Sequence, residues 1–215
     1  MNIQHHPDDA TLMSYAAGSL PEALAAVVSA HVASCRHCQR ELKLMERIGF
    51  ACVRTLPDED LARAMPAAAR LGALEAEVDP ATRLDRVADV PVPLRRLIGG
   101  QLDGIRWKVL GPGVWHHPLQ LSPNSRGDLR LLKVAAGRAM PEHGHGGAEL
   151  TLILKGAYTD RFGRFAAGDI ADLDEDVEHQ PIVEAGEDCI CLVGSERKAR
   201  FKGVVARLVQ PLTGM

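Results

Sequence analysis

The sequence predicts two domains of different texture, a small helical bundle followed by an all-β sandwich or barrel. Residues 1 to about 75 are rich in Ala, Leu, Met, Arg and Glu, which are helix formers. Near residue 90 the stretch VPVPLRRLIGGQL brings two prolines and a Gly-Gly pair, the punctuation of a linker or domain edge. After residue 105 short β-branched and aromatic runs alternate with turns. At 215 residues the chain is long enough for both parts.

A first helix fits residues 8–17, with Leu12, Tyr15 and Ala16 on one face and Gly18 as its stop. In SLPEALAAVVSAHVA, Ser19 and Glu22 have capping-box spacing, and Pro21 sits in the first turn, where its missing N–H does no harm. The apolar face of this second helix runs Leu20, Leu24, Val27 and Val28, and His31 continues it. A third helix begins near Arg36, with Leu42, Met45 and Ile48 at helical spacing and Cys52 continuing the stripe into the core. Residues 76–89 fit another helix, opened by Asp79 and Pro80. IRWKVL, LRLLKVAA, ELTLILKGAY, ICLVGS and VVARLV read as strands of an antiparallel sheet. The expected boundaries are a helical domain at 1–85, a linker at 86–104, a β domain at 105–195 and a packed C-terminal strand or tail at 196–215.

Bulk properties exclude several function classes. A net charge of -3 offers no basic footprint for non-specific nucleic-acid binding. No apolar run approaches the roughly 18 residues of a membrane span. The opening MNIQHHPDDA has neither the cationic flank nor the apolar core of an export signal. Five cysteines, two of them in a metal-like cluster, argue for a reducing compartment, so a cytoplasmic location is expected.

Two stretches carry ligand chemistry. HVASCRHCQRE contains His31, Cys35 and Cys38 at His-x3-Cys-x2-Cys spacing, so one helix end supplies three corners of a zinc tetrahedron. The fourth must come from elsewhere, and His5 and His6 are both placed to staple the N-terminus to the second helix. His37, inside the cluster, is expected to turn outward. The second stretch, GRAMPEHGHGGAELTLILKG, reads as Gly-x5-His-x-His-x3-Glu-x6-Gly. Strand alternation puts His143 and His145 on one face, with Glu149 returning beside them and His179 of GDIADLDEDVEH as a fourth donor. Imidazoles with a carboxylate suit a divalent transition metal: zinc, with Fe, Mn or Ni as alternatives.

These residues resemble two known families. Leu12, Tyr15, Gly18, Leu20, His31, Cys35 and Cys38 match the pattern of the zinc-binding anti-sigma domain over about residues 1–85. That resemblance implies an N-terminal histidine as fourth ligand, which selects His6 over His5. It also implies a partner, an extracytoplasmic-function (group IV) sigma factor kept from RNA polymerase. The second stretch matches the first cupin motif in every specified position. The second cupin motif matches in Gly168 and His179, with Asp174 and Asp176 where Pro and Gly are usual. The cupin resemblance covers about residues 105–195 and implies a jelly-roll β-barrel with the metal inside. The fusion resembles the ChrR-type zinc anti-sigma factors. It implies a non-enzymatic regulator whose cupin half is needed to release the sigma factor under stress, singlet oxygen being the signal associated with the best-known members.

The competing reading is a metal-dependent cupin dioxygenase or isomerase with a helical zinc appendage. Direct DNA binding is disfavoured by the acidic charge and the absence of two-Cys, two-His finger spacing. Among other residues, Cys189 and Cys191 share one face of a strand and are read as buried packing. Trp107 and Trp115 are read as barrel packing, His116 and His117 as surface, and the acidic run Asp172–Glu178 as a solvated loop.

Overall fold

The computed structural model describes residues 2–55, 90–197 and 200–201. Helix α1 spans Asp9–Ala16, and the Asp8 carboxylate caps it by accepting from the Thr11 N–H. Gly18, at φ +67, takes the left-handed conformation that ends the turn. Helix α2 spans Glu22–Val32 and buries Ala23, Leu24, Val27, Val28, Ala30 and His31. The expected capping box does not form. Ser19 Oγ donates to the Ser14 carbonyl, and the Glu22 carboxylate instead accepts from the backbone and hydroxyl of Ser122, a long-range partner.

Helix α3, Arg36–Val53, begins at Cys35, whose sulfur accepts from the Cys38 N–H. Cys38 is its one fully buried residue; Leu42 and Met45 are half-buried. Ile48 and Cys52, expected in the core, are exposed, because no described element packs beyond the second turn of the stripe. The stretch read as a linker is ordered as helix α4, Val92–Ile98, followed by a 3-10 turn at Leu102–Gly104. Pro91 and Pro93 stand at the α4 N-terminus, where proline favours a helix, and Val90 and Leu94 are 1% exposed. The 76–89 helix and the VVARLV strand lie outside the described residues.

The β part consists of β1 (Lys108–Gly111), β2 (Val114–Pro118), β3 (Asp128–Val134), β4 (His143–Gly144), β5 (Glu149–Lys155), β6 (Ala157–Asp160), β7 (Gly163–Ala166), β8 (Ile170–Leu173), β9 (Glu178–His179), β10 (Ile182–Val183), β11 (Cys189–Ser195) and β12 (Arg200–Phe201). Among the described residues a large antiparallel sheet has the order β1-β2-β3-β11-β5-β8, and two small sheets, β10-β6-β7 and β12-β4-β9, close the barrel. Several short strands were not legible as such. β2 is polar at His116 and His117, while β4, β9 and β10 are two residues each. His116 and His117 are half-buried, not surface.

The large sheet is covered on both faces. Leu129 and Leu131, Leu150 and Leu152, and Ile190 and Leu192 face α2 in one apolar cluster, which Trp107 also joins. Their alternating neighbours Val134, Ile153, Cys189 and Cys191 face the barrel interior. Double coverage explains why LRLLKV, ELTLILK and CICLVGS read as near-continuous apolar runs. It also means that the helical part has no separate core. Burying Leu24, Val27 and Val28 against the barrel contributes about 1.5–3 kcal/mol each. Among the described residues no helix is long and apolar enough to cross a membrane.

α2 approaches the sheet closely at Gly194, where an added Cβ would lie 2.5 Å from the Ala23 carbonyl oxygen and 2.8 Å from Val27. Gly194→Val is therefore expected to lift α2 and to destabilise the chain by about 1–3 kcal/mol, read as a fall in urea midpoint at unchanged m-value.

Candidate metal centres

His6, His31, Cys35 and Cys38 each direct one ligand-type atom to a common point, all within 4.8 Å of one another. α2 delivers His31 from its last turn, and the Cys35 N–H donates to the His31 carbonyl, so both side chains leave one face. α3 delivers Cys38 from its first turn. His31 Nε2 lies 3.3 Å from Cys38 Sγ, and His6 Nδ1 lies 3.4 Å from both sulfurs. A zinc tetrahedron with ordinary Zn–S and Zn–N bonds has N···S edges of about 3.5 Å. The group fits that ion. His37 is exposed beside the His6 ring.

Burial shapes the protonation of this group. It lowers the His31 pKa to about 4 and, with the neighbouring Cys35, raises that of Cys38 to about 12. The imidazole thus offers a lone pair at neutral pH, whereas the Cys38 thiolate needs a bound cation to persist.

The barrel supplies the support for these donors. His31 Nδ1–H donates to the Gly168 carbonyl at 2.9 Å, which fixes the ring with Nε2 toward the sulfurs. Asp169, 2% exposed, accepts at Oδ1 from the Gln4 and His5 N–H groups (2.7 and 3.1 Å) and at Oδ2 from Ala166. The Ile170 N–H donates to the His5 carbonyl, and Asp172 accepts from the Asp8 N–H. Asp172 is therefore a half-buried part of β8 and not the start of a solvated loop; Asp174 to Asp176 are exposed. His5 stacks on Phe165 at 4.2 Å and lies 3.1 Å from the Arg164 carbonyl, away from the cysteines.

The second group, His143, His145, Glu149 and His179, is buried throughout, again with one donor atom each within 4.8 Å. β4 and β9 pair His143 directly with His179, bringing their Nε2 atoms to 3.2 Å. His143 Nδ1–H donates to the Pro141 carbonyl, and His179 Nδ1–H to Asp160, which leaves both Nε2 atoms for the centre. His145 Nδ1 is 3.2 Å from Glu149 Oε2, but both its ring nitrogens are buried without a hydrogen bond, as expected of a residue whose partner is an ion. Burial, reinforced by His179, lowers the His143 pKa to about 4. For Glu149 burial acts upward, yet His145, His143 and His179 together draw the carboxyl below its ordinary range. Three imidazoles and one carboxylate suit a divalent transition metal. In place of the usual proline and glycine, the turn before His179 is closed by Asp174, whose side chain accepts from the Asp176 N–H. Cys189 and Cys191, both buried, line the interior beside this group.

Residues 9–39 match a zinc-finger family model, and residues 96–199 match the model of the ChrR cupin-like domain. Over 218 residues the chain is 38% identical to the anti-sigma-E factor ChrR of Cereibacter sphaeroides, covering 98% of each. It is also similar to a chain in the crystal structure of Rhodobacter sphaeroides SigE in complex with the anti-sigma ChrR. That match has a TM-score of 0.72 and 36% identity, and it covers 90% of this chain and 99% of that one.

Asp169 is the residue on which the N-terminal strap, residues 4–8, and through it the zinc-type group both lean. Asp169→Ala leaves three backbone donors without their acceptor and is expected to destabilise by about 2–3 kcal/mol. Zinc transfer to a colorimetric chelator should speed up in the same variant, while Asp169→Asn, which keeps an acceptor oxygen, should fall between.

Proposed function

Because this chain belongs to the ChrR family of anti-sigma factors, we propose that it holds an extracytoplasmic-function sigma factor inactive through its helical, zinc-stapled part. It is a non-enzymatic regulator. The observation that carries the reading is α3. Of its 18 residues only Cys38 is fully buried, and Leu44, Ile48, Phe50 and Val53 are 52%, 57%, 66% and 37% exposed. An isolated helix showing this much apolar surface is marginal in water and marks an interaction site.

In this reading His6, His31, Cys35 and Cys38 hold a structural zinc. Four protein ligands leave no open position, so the ion supplies fixed geometry and not reactivity. It ties the N-terminal strap to α2 and sets the angle at which α3 leaves the barrel. His143, His145, Glu149 and His179 hold a divalent ion in the barrel, zinc by preference, with Fe, Mn or Ni as alternatives. The barrel is the sensory half, and a stress signal, singlet oxygen among the candidates, releases the sigma factor through it. The strand order supports this coupling: Glu149 pairs with Leu173 at the end of β8, and β8 begins beside Gly168 and Asp169, which hold His31 and the strap. A signal at the barrel centre acts by favouring one of two arrangements of these contacts. Residues 1–85 form the inhibitory part, 86–104 the connection and 105–195 the sensor; residues 56–89 and most of the 196–215 tail lie outside the described residues. The cytoplasm, where thiols stay reduced, suits a chain whose five cysteines are all free.

Full-length protein titrated by calorimetry against an extracytoplasmic-function sigma factor of the same genome should bind one to one. Ile48→Asp should weaken that binding at least tenfold with an unchanged melting temperature. Cys35→Ser with Cys38→Ser should abolish it and remove one equivalent of zinc by elemental analysis. His143→Ala with His179→Ala should remove the other metal while leaving sigma binding in place. Failure of the wild-type chain to bind any such factor would falsify the regulator.

A further inference from the structure

The hairpin of β6 and β7 stands between the two donor groups and touches both. β6 ends in Asp160, whose side chain is 1% exposed. Asp160 Oδ2 accepts from His179 Nδ1–H at 2.9 Å, and Oδ1 accepts from the Phe162 N–H at 2.8 Å inside the turn that joins the strands. One carboxylate therefore closes the hairpin turn and orients a donor of the barrel centre.

β7 carries Phe165, buried and paired in register with Tyr158. The Phe165 ring stacks with the Tyr158 ring at 5.1 Å and with the His5 ring at 4.2 Å. His5 Nε2–H donates to the Arg164 carbonyl at 3.1 Å, so a side chain and a backbone group of β7 both hold it. The next residue along the strap is His6, which faces Cys35 and Cys38. Seating His5 thus fixes the backbone from which His6 leaves. The hairpin between these two ends is braced along its length. Its strands pair from Ala157 with Ala166 to Asp160 with Gly163, β10 pairs with Tyr158 and Thr159, and the Arg164 guanidinium forks onto the Glu184 carboxylate at 2.6 and 2.9 Å.

We propose that the β6–β7 hairpin couples the barrel donors to the zinc-type group, with Phe165 as the positioning residue at its strap end. The inference rests on the reading of both groups as metal sites and names the route between them. With an ion on its Nε2, His179 becomes a stronger donor at Nδ1–H and holds Asp160, and with it the hairpin turn, more firmly. The seated His5 then keeps His6 on the sulfurs. Without that ion the hold on Asp160 weakens, the hairpin loosens, and the strap lifts from the cysteines more readily. The two arrangements differ in whether His5 is stacked, which is what a signal at the barrel centre biases.

The test uses zinc-loaded full-length protein with no sigma factor present and follows the reaction of its thiols with Ellman's reagent. Exposed Cys52 reacts first; the slower phase that disappears in Cys35→Ser with Cys38→Ser reports opening of the zinc-type group. His143→Ala with His145→Ala empties the barrel centre and keeps His179, Asp160 and the hairpin. In the wild-type background this change should speed the slow phase about fivefold, the low end of ordinary coupling between sites. In a His5→Ala background, which removes the stack from outside the barrel, the slow phase should be fast from the start, and emptying the barrel should alter it by less than about twofold. Phe165→Leu should behave as His5→Ala does. A purely structural part for either ring would speed loaded and emptied forms alike and keep their ratio at the wild-type value, which would overturn the proposal. So would a wild-type slow phase indifferent to emptying the barrel. The His5→Ala comparison decides the matter even if Phe165→Leu does not fold. Elemental analysis, run first, separates two failures. A wild-type chain short of two zinc equivalents overturns the site reading and the proposal together, whereas two equivalents with uncoupled rates overturn the proposal alone.

Discussion

Residues 4 to 8 have no regular secondary structure, yet they are held from two sides at once. On one side His6 points Nδ1 at the sulfurs of Cys35 and Cys38. On the other, the backbone N–H groups of Gln4, His5 and Asp8 donate to Asp169 and Asp172 at either end of β8. An unpaired extended segment loses about 1–2 kcal/mol of entropy per ordered residue, and neither set of contacts alone offsets that comfortably. The carboxylate of Asp169 and the two-sulfur, two-imidazole group therefore depend on each other. Because His31 also leans on the Gly168 carbonyl, the zinc-type group belongs to the barrel as much as to the helices.

That arrangement gives the chain a mechanical character different from two beads on a string. α2 lies in van der Waals contact with the sheet, close enough that Gly194 has no room for a side chain. The sheet strands carry helix-facing and interior-facing residues in strict alternation, so a shift of β5 or β11 moves both the interior donors and the α2 platform. Among the described helices α3 leaves this framework beyond its first turns, and it carries four of the exposed large apolar side chains, Leu44, Ile48, Phe50 and Val53. The rigid part positions, and the free part presents.

Both donor groups follow the same physical logic. Burial strips the proton from His31 and His143 and keeps it on Cys38, so dryness tunes these donors before any ion arrives. A second hydrogen bond then selects which ring nitrogen faces inward: Gly168 for His31, Pro141 for His143 and Asp160 for His179. His145 lacks such a partner among the described residues.

Much of this was legible in the residues because the relevant geometry is local. His31, Cys35 and Cys38 lie within eight consecutive positions, and a helix end brings such spacings together whatever the rest of the chain does. His143, His145 and Glu149 converge for a similar reason, around a short strand and its return. The helix-then-strand texture follows from propensity and from the prolines and glycines near residue 90. What the sequence left open was decided by partners distant in the chain. His5 and His6 are equivalent as neighbours, but Phe165 and the Arg164 carbonyl claim His5 and leave His6 to face the cysteines. Glu22 abandons its own helix end for Ser122. The proline-rich linker becomes α4 because Val90 and Leu94 find a core shared by barrel and helices. Periodicity reports which residues want burial, whereas only the tertiary structure decides against what, since burial and hydrogen bonding are satisfied by whichever surface the fold brings near.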